Sequence, residues 1–327
     1  MLSIYRFPKY AVTTLLLLLA AAAPVPAQDW PGKTVRIVVP FGAGSTPDIV
    51  ARLVADGLKQ KYPESAFIVE NKPGASGNLG TDMVAKASPD GSTIGVSIGG
   101  PLAINKLLFA KLPYDPHNDI APITRLVTQP SVLAVNPSLN VNSVAELVSL
   151  LKKNPGKYNF ASIGNGSLSH LAMEAIAIKA GARLVHVPYT SSPQAITAVI
   201  RNDAQMACLP AIAVTPHAKA GTVKILAVST AHRSPYLPDV PTLKEAGIDV
   251  EADAWNGLIA PGGTPKSIVE RISKDVSEII RQPAVREKLA AQLMEPVGSR
   301  PEDLRTQMDA EIARWAPVIT AAKVKIN

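Results

Sequence analysis

Serines, a histidine and an aspartate cluster in two glycine-rich stretches, and any chemistry in this chain rests on them. The first stretch is Phe41-Gly42-Ala43-Gly44-Ser45-Thr46-Pro47-Asp48 and the second is Gly164-Asn165-Gly166-Ser167-Leu168-Ser169-His170. Each follows an apolar run and precedes an amphipathic one, so each reads as a turn from strand into helix. Unpaired N–H groups and the positive end of the helix dipole favour an anion at such a turn. Bonds from these donors to a carboxylate contribute about 1.5–3 kcal/mol each. Two such loops predict capture of an anion between them. The same residues also have structural roles open to them. Glycines end strands, Ser167 suits the N-cap of the helix from Leu168, and Asp48 suits a first turn. His170 serves equally as a hydrogen-bonded structural group, and Phe41 as core or as an apolar wall for a ligand.

Catalysis finds no company here. Neither loop has the third glycine of a dinucleotide fingerprint, and no Walker A sequence or GxSxG elbow occurs. Asp48 and His170 as a split acid/base pair lack a nucleophile, a metal set and a second carboxylate. A hydrolase built on Ser167 or Ser169 with His170 is the rival reading from another class. The single Cys208 excludes an intrachain disulfide and thiolate-rich zinc sites, and the five histidines are scattered without HExxH, so neither metal nor cofactor is expected. The formal charge of +7 is dispersed, with Lys152-Lys153 the longest basic run, so nucleic acid is not expected as a partner.

The elements that position these loops alternate. Val35 to Pro40 reads as a buried strand, and Thr46 as the N-cap of a helix that starts at Pro47 and carries Ile49, Val50, Leu53, Val54 and Leu58 on one face. Ala66 to Val69 and Thr93 to Ile98 continue the strands around a helix from Leu79 to Ala87. A second unit repeats the alternation, with helices at Val144 to Lys153, Leu168 to Lys179 and Gln194 to Arg201. Its strands are Asn159 to Ile163, Leu184 to Val187, Gln205 to Leu209 and Val223 to Ser229. A helix ending at Gly247 follows. Two amphipathic helices, Lys266 to Arg281 and Glu302 to Ile319, are expected to return to the first sheet. This alternation predicts open α/β sheets with ligands outside the carboxyl ends of the strands. The chain of 327 residues, 47% hydrophobic, suits two domains. Boundaries are expected at 28–128 with 250–327 for one domain and 129–249 for the other. Ahead of them, Arg6 and Lys9, the apolar run Ala11 to Ala23 and Val25-Pro26-Ala27 read as a secretory signal over 1–27, cleaved near Ala27. Loss of Arg6 and Lys9 with it lowers the formal charge of +7 by two.

At these loops the sequence resembles the tripartite tricarboxylate transporter substrate-binding proteins, the Bug family of periplasmic receptors. Motifs in order carry the likeness along the chain: Glu70-Asn71-Lys72-Pro73-Gly74, Leu112-Pro113-Tyr114-Asp115-Pro116, Val187-Pro188-Tyr189, Leu237-Pro238-Asp239-Val240-Pro241 and Ala260-Pro261-Gly262-Gly263-Thr264-Pro265, with the two glycine loops. The resemblance implies a two-lobed, type II periplasmic binding-protein fold. Its two open α/β domains are joined by a two-segment hinge and close on a small carboxylate in the cleft between them. It implies that the carboxylate is held by Phe41 to Asp48 and Gly164 to His170, with Tyr189, Thr190, Ser191 and the Ser97 to Leu102 segment, Gly100 included, as neighbouring walls. It further implies a monomeric receptor in the periplasm that hands its ligand to membrane transporter subunits; a sensor signalling through a membrane partner is the alternative. The chain departs from the family where specificity lies. Ser45 replaces a glycine, Pro47 a small residue, and Thr190-Ser191-Ser192 a Lys-Gly-Gly, which removes a cation from the cleft.

Overall fold

The computed structural model describes residues 30–326, so the signal expected over 1–27 lies outside them. The first sheet takes β1 (Thr34–Val39), β2 (Ala66–Asn71), β3 (Thr93–Ile98) and β4 (Ile120–Gln129), and much later β10 (Ala254–Pro261) and β11 (Glu295–Pro296). The second takes β5 (Ser131–Val135), β6 (Asn159–Ser162), β7 (Val185–Pro188), β8 (Met206–Pro210) and β9 (Lys224–Val228). Their orders are β11-β4-β10-β3-β1-β2 and β7-β6-β8-β5-β9. The first three strands pair parallel, whereas β10 runs antiparallel between β3 and β4. In the second sheet β6 is parallel to β7 and β8, and β5 is antiparallel to β8 and β9. The chain passes between sheets at Pro130 and returns through Ala252 and Asp253. The two crossings lie side by side, since Ala254 pairs with Gln129 and Ser229 bonds both Ser131 and Ala252.

Helices cover the sheets as their apolar stripes require. The main ones are α1 (Thr46–Lys61), α2 (Asn78–Ala85), a short α3 (Asn105–Leu108), α4 (Val144–Lys153), α5 (Leu168–Ala180) and α6 (Ser192–Ile200). They are followed by α7 (Ala211–Lys219), α8 (Lys266–Ile280), α9 (Pro283–Ala290) and α10 (Pro301–Ala322). On α8, Ile268, Ile272, Val276 and Ile279 share one core with Val50, Val54 and Leu58 of α1 and with Ile37 and Ile94 of the first sheet. Each such buried side chain contributes about 1.5–3 kcal/mol. Cys208, on β8, is wholly buried, which pushes its thiol up to about 12 and leaves it a small apolar core residue.

Three sequence expectations change. The stretch ending at Gly247 is a series of turns, because Thr242 and Glu245 close a capped loop rather than start a helix. Two helices, α7 and α9, were not expected. Pro216 lies inside α7, which spoke against a helix there. The last helix does not return to the first sheet alone. Leu304 and Met308 pack with Trp255 and Val38 of that sheet, whereas Trp315 and Ile319 pack with Phe160, Leu171 and Met173 under the second. Thus α10 spans both lobes.

Candidate functional site

The first glycine loop is braced from below. Asp48, in the first turn of α1, is 2% exposed, and its carboxylate accepts from Gly44 N–H at 2.9 Å and from Asn71 Nδ2 at 2.9 Å. Arg52, one turn further on, adds Nε at 3.1 Å and Nη2 at 3.0 Å. Asn71, at the end of β2, donates as well to Phe41 O at 2.9 Å, so three segments are locked to one carboxylate. Burial pushes that carboxyl up, but the bonds from Arg52, Gly44 and Asn71 outweigh it and hold Asp48 below the usual carboxylate range. The Gly44 donor is therefore spent inside the loop. Phe41 and Thr46 face the cleft. The Phe41 ring lies so close to Gly77 that a Cβ there would sit 2.7 Å from it, and Gly77 also has φ of 87°.

The second loop is held by hydroxyls and a histidine. Ser167 caps α5 by accepting from His170 N–H at 3.3 Å, and its hydroxyl donates to Gly164 O at 2.7 Å and lies 2.9 Å from Ser169 Oγ. Ser169 Oγ accepts from Ile163 N–H at 2.9 Å. His170 is buried, and its Nδ1 accepts from Gly166 N–H at 3.0 Å, which leaves the ring proton on Nε2, 3.5 Å from Glu174. No hydrogen bond joins the His170 ring to the Ser167 or Ser169 hydroxyl among the described residues, so the hydrolase constellation is not assembled. Beneath it, His186 stacks on His170 with ring centroids 3.7 Å apart and shares a 2.6 Å bond with the wholly buried Ser162. Burial, then the neighbouring His170, lowers His186 to about 4. Gly166 adopts φ of 73°, and a Cβ there would lie 2.7 Å from both Ile326 and Leu108. Among the described residues, the N–H groups of Leu168 and Ser169 have no acceptor, and both residues line the cleft.

A cavity of about 530 Å³ lies between the two loops. Of the predicted residues, Phe41, Thr46, Gly100, Gly164, Asn165, Gly166, Ser167 and Ser169 line it. The others stand back for visible reasons. Gly42, Ala43 and Gly44 form the exposed outer turn, and Ser45 is the N-cap of α1 with its hydroxyl buried and unpartnered. Asp48 and His170 are the braces just described. Ser97 is wholly buried against Thr81 at 3.2 Å. Tyr189 packs on the second lobe's core, Thr190 bonds Gln194, and Ser191 sits at the N-cap position of α6 without a side-chain capping bond, while Ser192 lines the cavity. The turn from Gly99 to Ile104 forms a third wall. Tyr114 donates to Pro101 O at 2.7 Å and Asn105 donates to Asn78 Oδ1 at 2.6 Å, fixing it.

The floor comes from the crossings and was missed by sequence reasoning: Gln129, Ser131, Asp253, Trp255 and Asn256, with Glu311 of α10. No lysine, arginine or histidine lines the cavity among the described residues. Burial, reinforced by Glu251 and Glu311 and opposed by Arg314 and Arg125, pushes Asp253 up to about 8. Glu311, 1% exposed, is raised by burial too, against Arg314 at 3.1 Å and the Trp315 indole N–H at 2.6 Å.

Two mixed α/β lobes, paired interlobe crossings and a cleft walled by helix-start loops define the periplasmic solute-binding class of fold. The chain belongs to the tripartite tricarboxylate transporter receptor family, whose model matches residues 50–324. It is 34% identical to the protein BugT of Bordetella pertussis over 310 residues, covering 93% of this chain and 94% of that one. Among solved structures, Rpa4515 of R. palustris with adipate is 34% identical, with a TM-score of 0.78 over 91% of this chain and 99% of that chain. MatC of Rhodopseudomonas palustris with bound malate is 31% identical, with a TM-score of 0.73 over 89% and 100%.

Proposed function

We propose that this protein is an extracytoplasmic solute-binding receptor. It captures a small carboxylate-bearing metabolite by closure of the lobes and delivers it to a tripartite tricarboxylate-type transporter from the periplasm. The observation that carries this reading is the cleft between the two helix-start loops, where Leu168 and Ser169, whose N–H groups have no acceptor among the described residues, line the same cavity as Phe41 and Thr46. Helix-start donors with no cation beside them suit a single carboxylate, held by backbone and dipole rather than by an arginine. The adipate and malate of the solved relatives support the ligand class. The buried braces at Asp48 and His170 keep the loops preformed, which lowers the ordering cost of binding. The protein performs no reaction in this reading, and it acts as a monomer.

Thermal-shift and calorimetric screening of the purified mature protein against dicarboxylates, amino acids and aromatic acids tests it. A ligand at about 100-fold excess over its dissociation constant adds about 2.7 kcal/mol of stability, a readily visible shift. No shift with any carboxylate would overturn the reading.

A further inference from the structure

Two polar groups on the cavity floor lack partners. Asn256 is 3% exposed and lines the cavity, yet its Nδ2 has no acceptor among the described residues; Asp253 Oδ1, three residues earlier, is likewise buried and unbonded. Such groups carry a desolvation cost that a bound molecule relieves. Their surroundings set the sign of that molecule. Facing Asp253 are Glu251 beside it in the chain, Glu311 and Arg314 on α10 and Arg125 on β4. Arg314 is already shared between Glu251 at 3.0 Å and Glu311 at 3.1 Å, and Arg125 is turned to Gln307 at 3.2 Å. The local balance is therefore an excess of carboxyl groups with no uncommitted cation. No cation is left there to hold an anion, and an ammonium that ionises Asp253 is welcomed, with the Trp255 ring in the same wall as a further attraction for a cation.

We infer that Asp253 and Asn256 form a second recognition point in the cleft that reads an amine on the far part of the ligand, so that the receptor selects amino-carboxylates over plain dicarboxylates. This rests on the carboxylate-receptor reading: the loops hold the carboxylate, Asp253 faces the amine, and Asn256 Nδ2 donates to a neighbouring ligand oxygen. In the free protein Asp253 holds a proton at neutral pH, since it titrates at about 8. A bound ammonium favours the carboxylate form, so that proton passes to solvent on binding.

Calorimetry with γ-aminobutyrate against succinate, and with δ-aminovalerate and L-glutamate against glutarate, decides the matter. The expected result is preference for at least one amino-carboxylate over its partner by about tenfold or more, as for a charge-assisted bond. Titrations in phosphate and Tris, which differ in ionisation enthalpy, should show about one proton released at pH 7, and affinity should rise about tenfold per pH unit up to about 8 and then level. The isosteric Asp253→Asn protein should lose both the preference and the proton release. Dicarboxylates binding as well as their amino partners, no proton release by the wild type, or an unchanged preference in Asp253→Asn would overturn the inference and leave the carboxylate reading standing. Silence of the wild type toward every probe in both this set and the wider screen would instead remove the carboxylate reading, and this inference with it.

Discussion

Replacing Asp48 separates a brace from a ligand contact. Alanine at this position strips the acceptor from Gly44 N–H and Asn71 Nδ2, each 2.9 Å away, and from the Arg52 guanidinium. Arg52 is 53% exposed and its share is screened, so the loss is carried by the other two bonds. Hydrogen bonds to a charged acceptor contribute about 1.5–3 kcal/mol, and water reaches exposed Gly44 once the brace is gone, so Asp48→Ala should cost about 2–3 kcal/mol. Asp48→Asn keeps the shape and one acceptor and should cost about half as much. Urea denaturation reads the cost as a lower midpoint at unchanged slope, and amide exchange should quicken at Gly44 to Thr46. The pH dependence has a defined sign. The Asp48 carboxyl is held below its ordinary value of 3.8, so its contribution is full above that value and is lost as pH falls through the folded value. The wild type should lose its advantage over Asp48→Asn only in that acid range. An Asp48→Asn protein as stable as the wild type but unable to bind a ligand would refute the assignment of Asp48 as a brace.

Three further outcomes follow from the site. His186, lowered to about 4 from 6.5, contributes stability that is full above about 6.5 and is lost as pH falls toward about 4; after allowance for partial solvent access this is roughly 2 kcal/mol. His186→Gln should flatten that part of a stability-against-pH curve. Gly166→Ala places a Cβ 2.7 Å from Ile326 and Leu108 at a φ of 73° and should cost about 1–3 kcal/mol with weaker ligand binding, both measured on the purified variant. Arg314→Ala leaves Glu311, 1% exposed, without its cation at 3.1 Å and should cost about 3 kcal/mol near neutral pH. Because Glu311 titrates above its ordinary value, that deficit should shrink in acid as the carboxyl takes a proton, which a denaturation series across pH would show.

Local patterns in the sequence were enough to place most strands and helices. The β-branched run through Val35 to Val39 could be little but a buried strand, and the stripe Ile268, Ile272, Val276, Ile279 little but a helix face. What failed was information that is not local. Pro216 speaks against a helix, yet Ala211–Lys219 forms one because Ala211 and Val214 are buried in the second lobe's core. Likewise nothing in the stripe Leu304, Met308, Trp315, Ile319 says that its two halves meet different cores.

The same divide runs through the site. Helix-start loops announce themselves, since a glycine turn followed by a capping serine needs only its neighbours to be understood. Residues of both loops line the cavity, but their acidic and basic members turn inward. Asp48 and His170 each sit in a first turn, four residues after a glycine whose N–H they accept, and so close the loop on itself. A side chain that braces such a loop accepts from N–H groups inside it, and here the titratable residues nearest in sequence do so. The floor carries no such local mark. Asp253 and Asn256 look like ordinary residues at a strand start, and Glu311 interrupts an apolar stripe as many surface acids do. Their meaning comes from chain crossings that bring residues 253–256 beside Gln129 and α10, and from what that contact leaves unpaired. In the proposed reading, general anion affinity is thus written in contiguous sequence. The inferred discrimination between ligands falls where the two lobes join, and there it rests on tertiary burial of carboxyl groups that no short motif reveals.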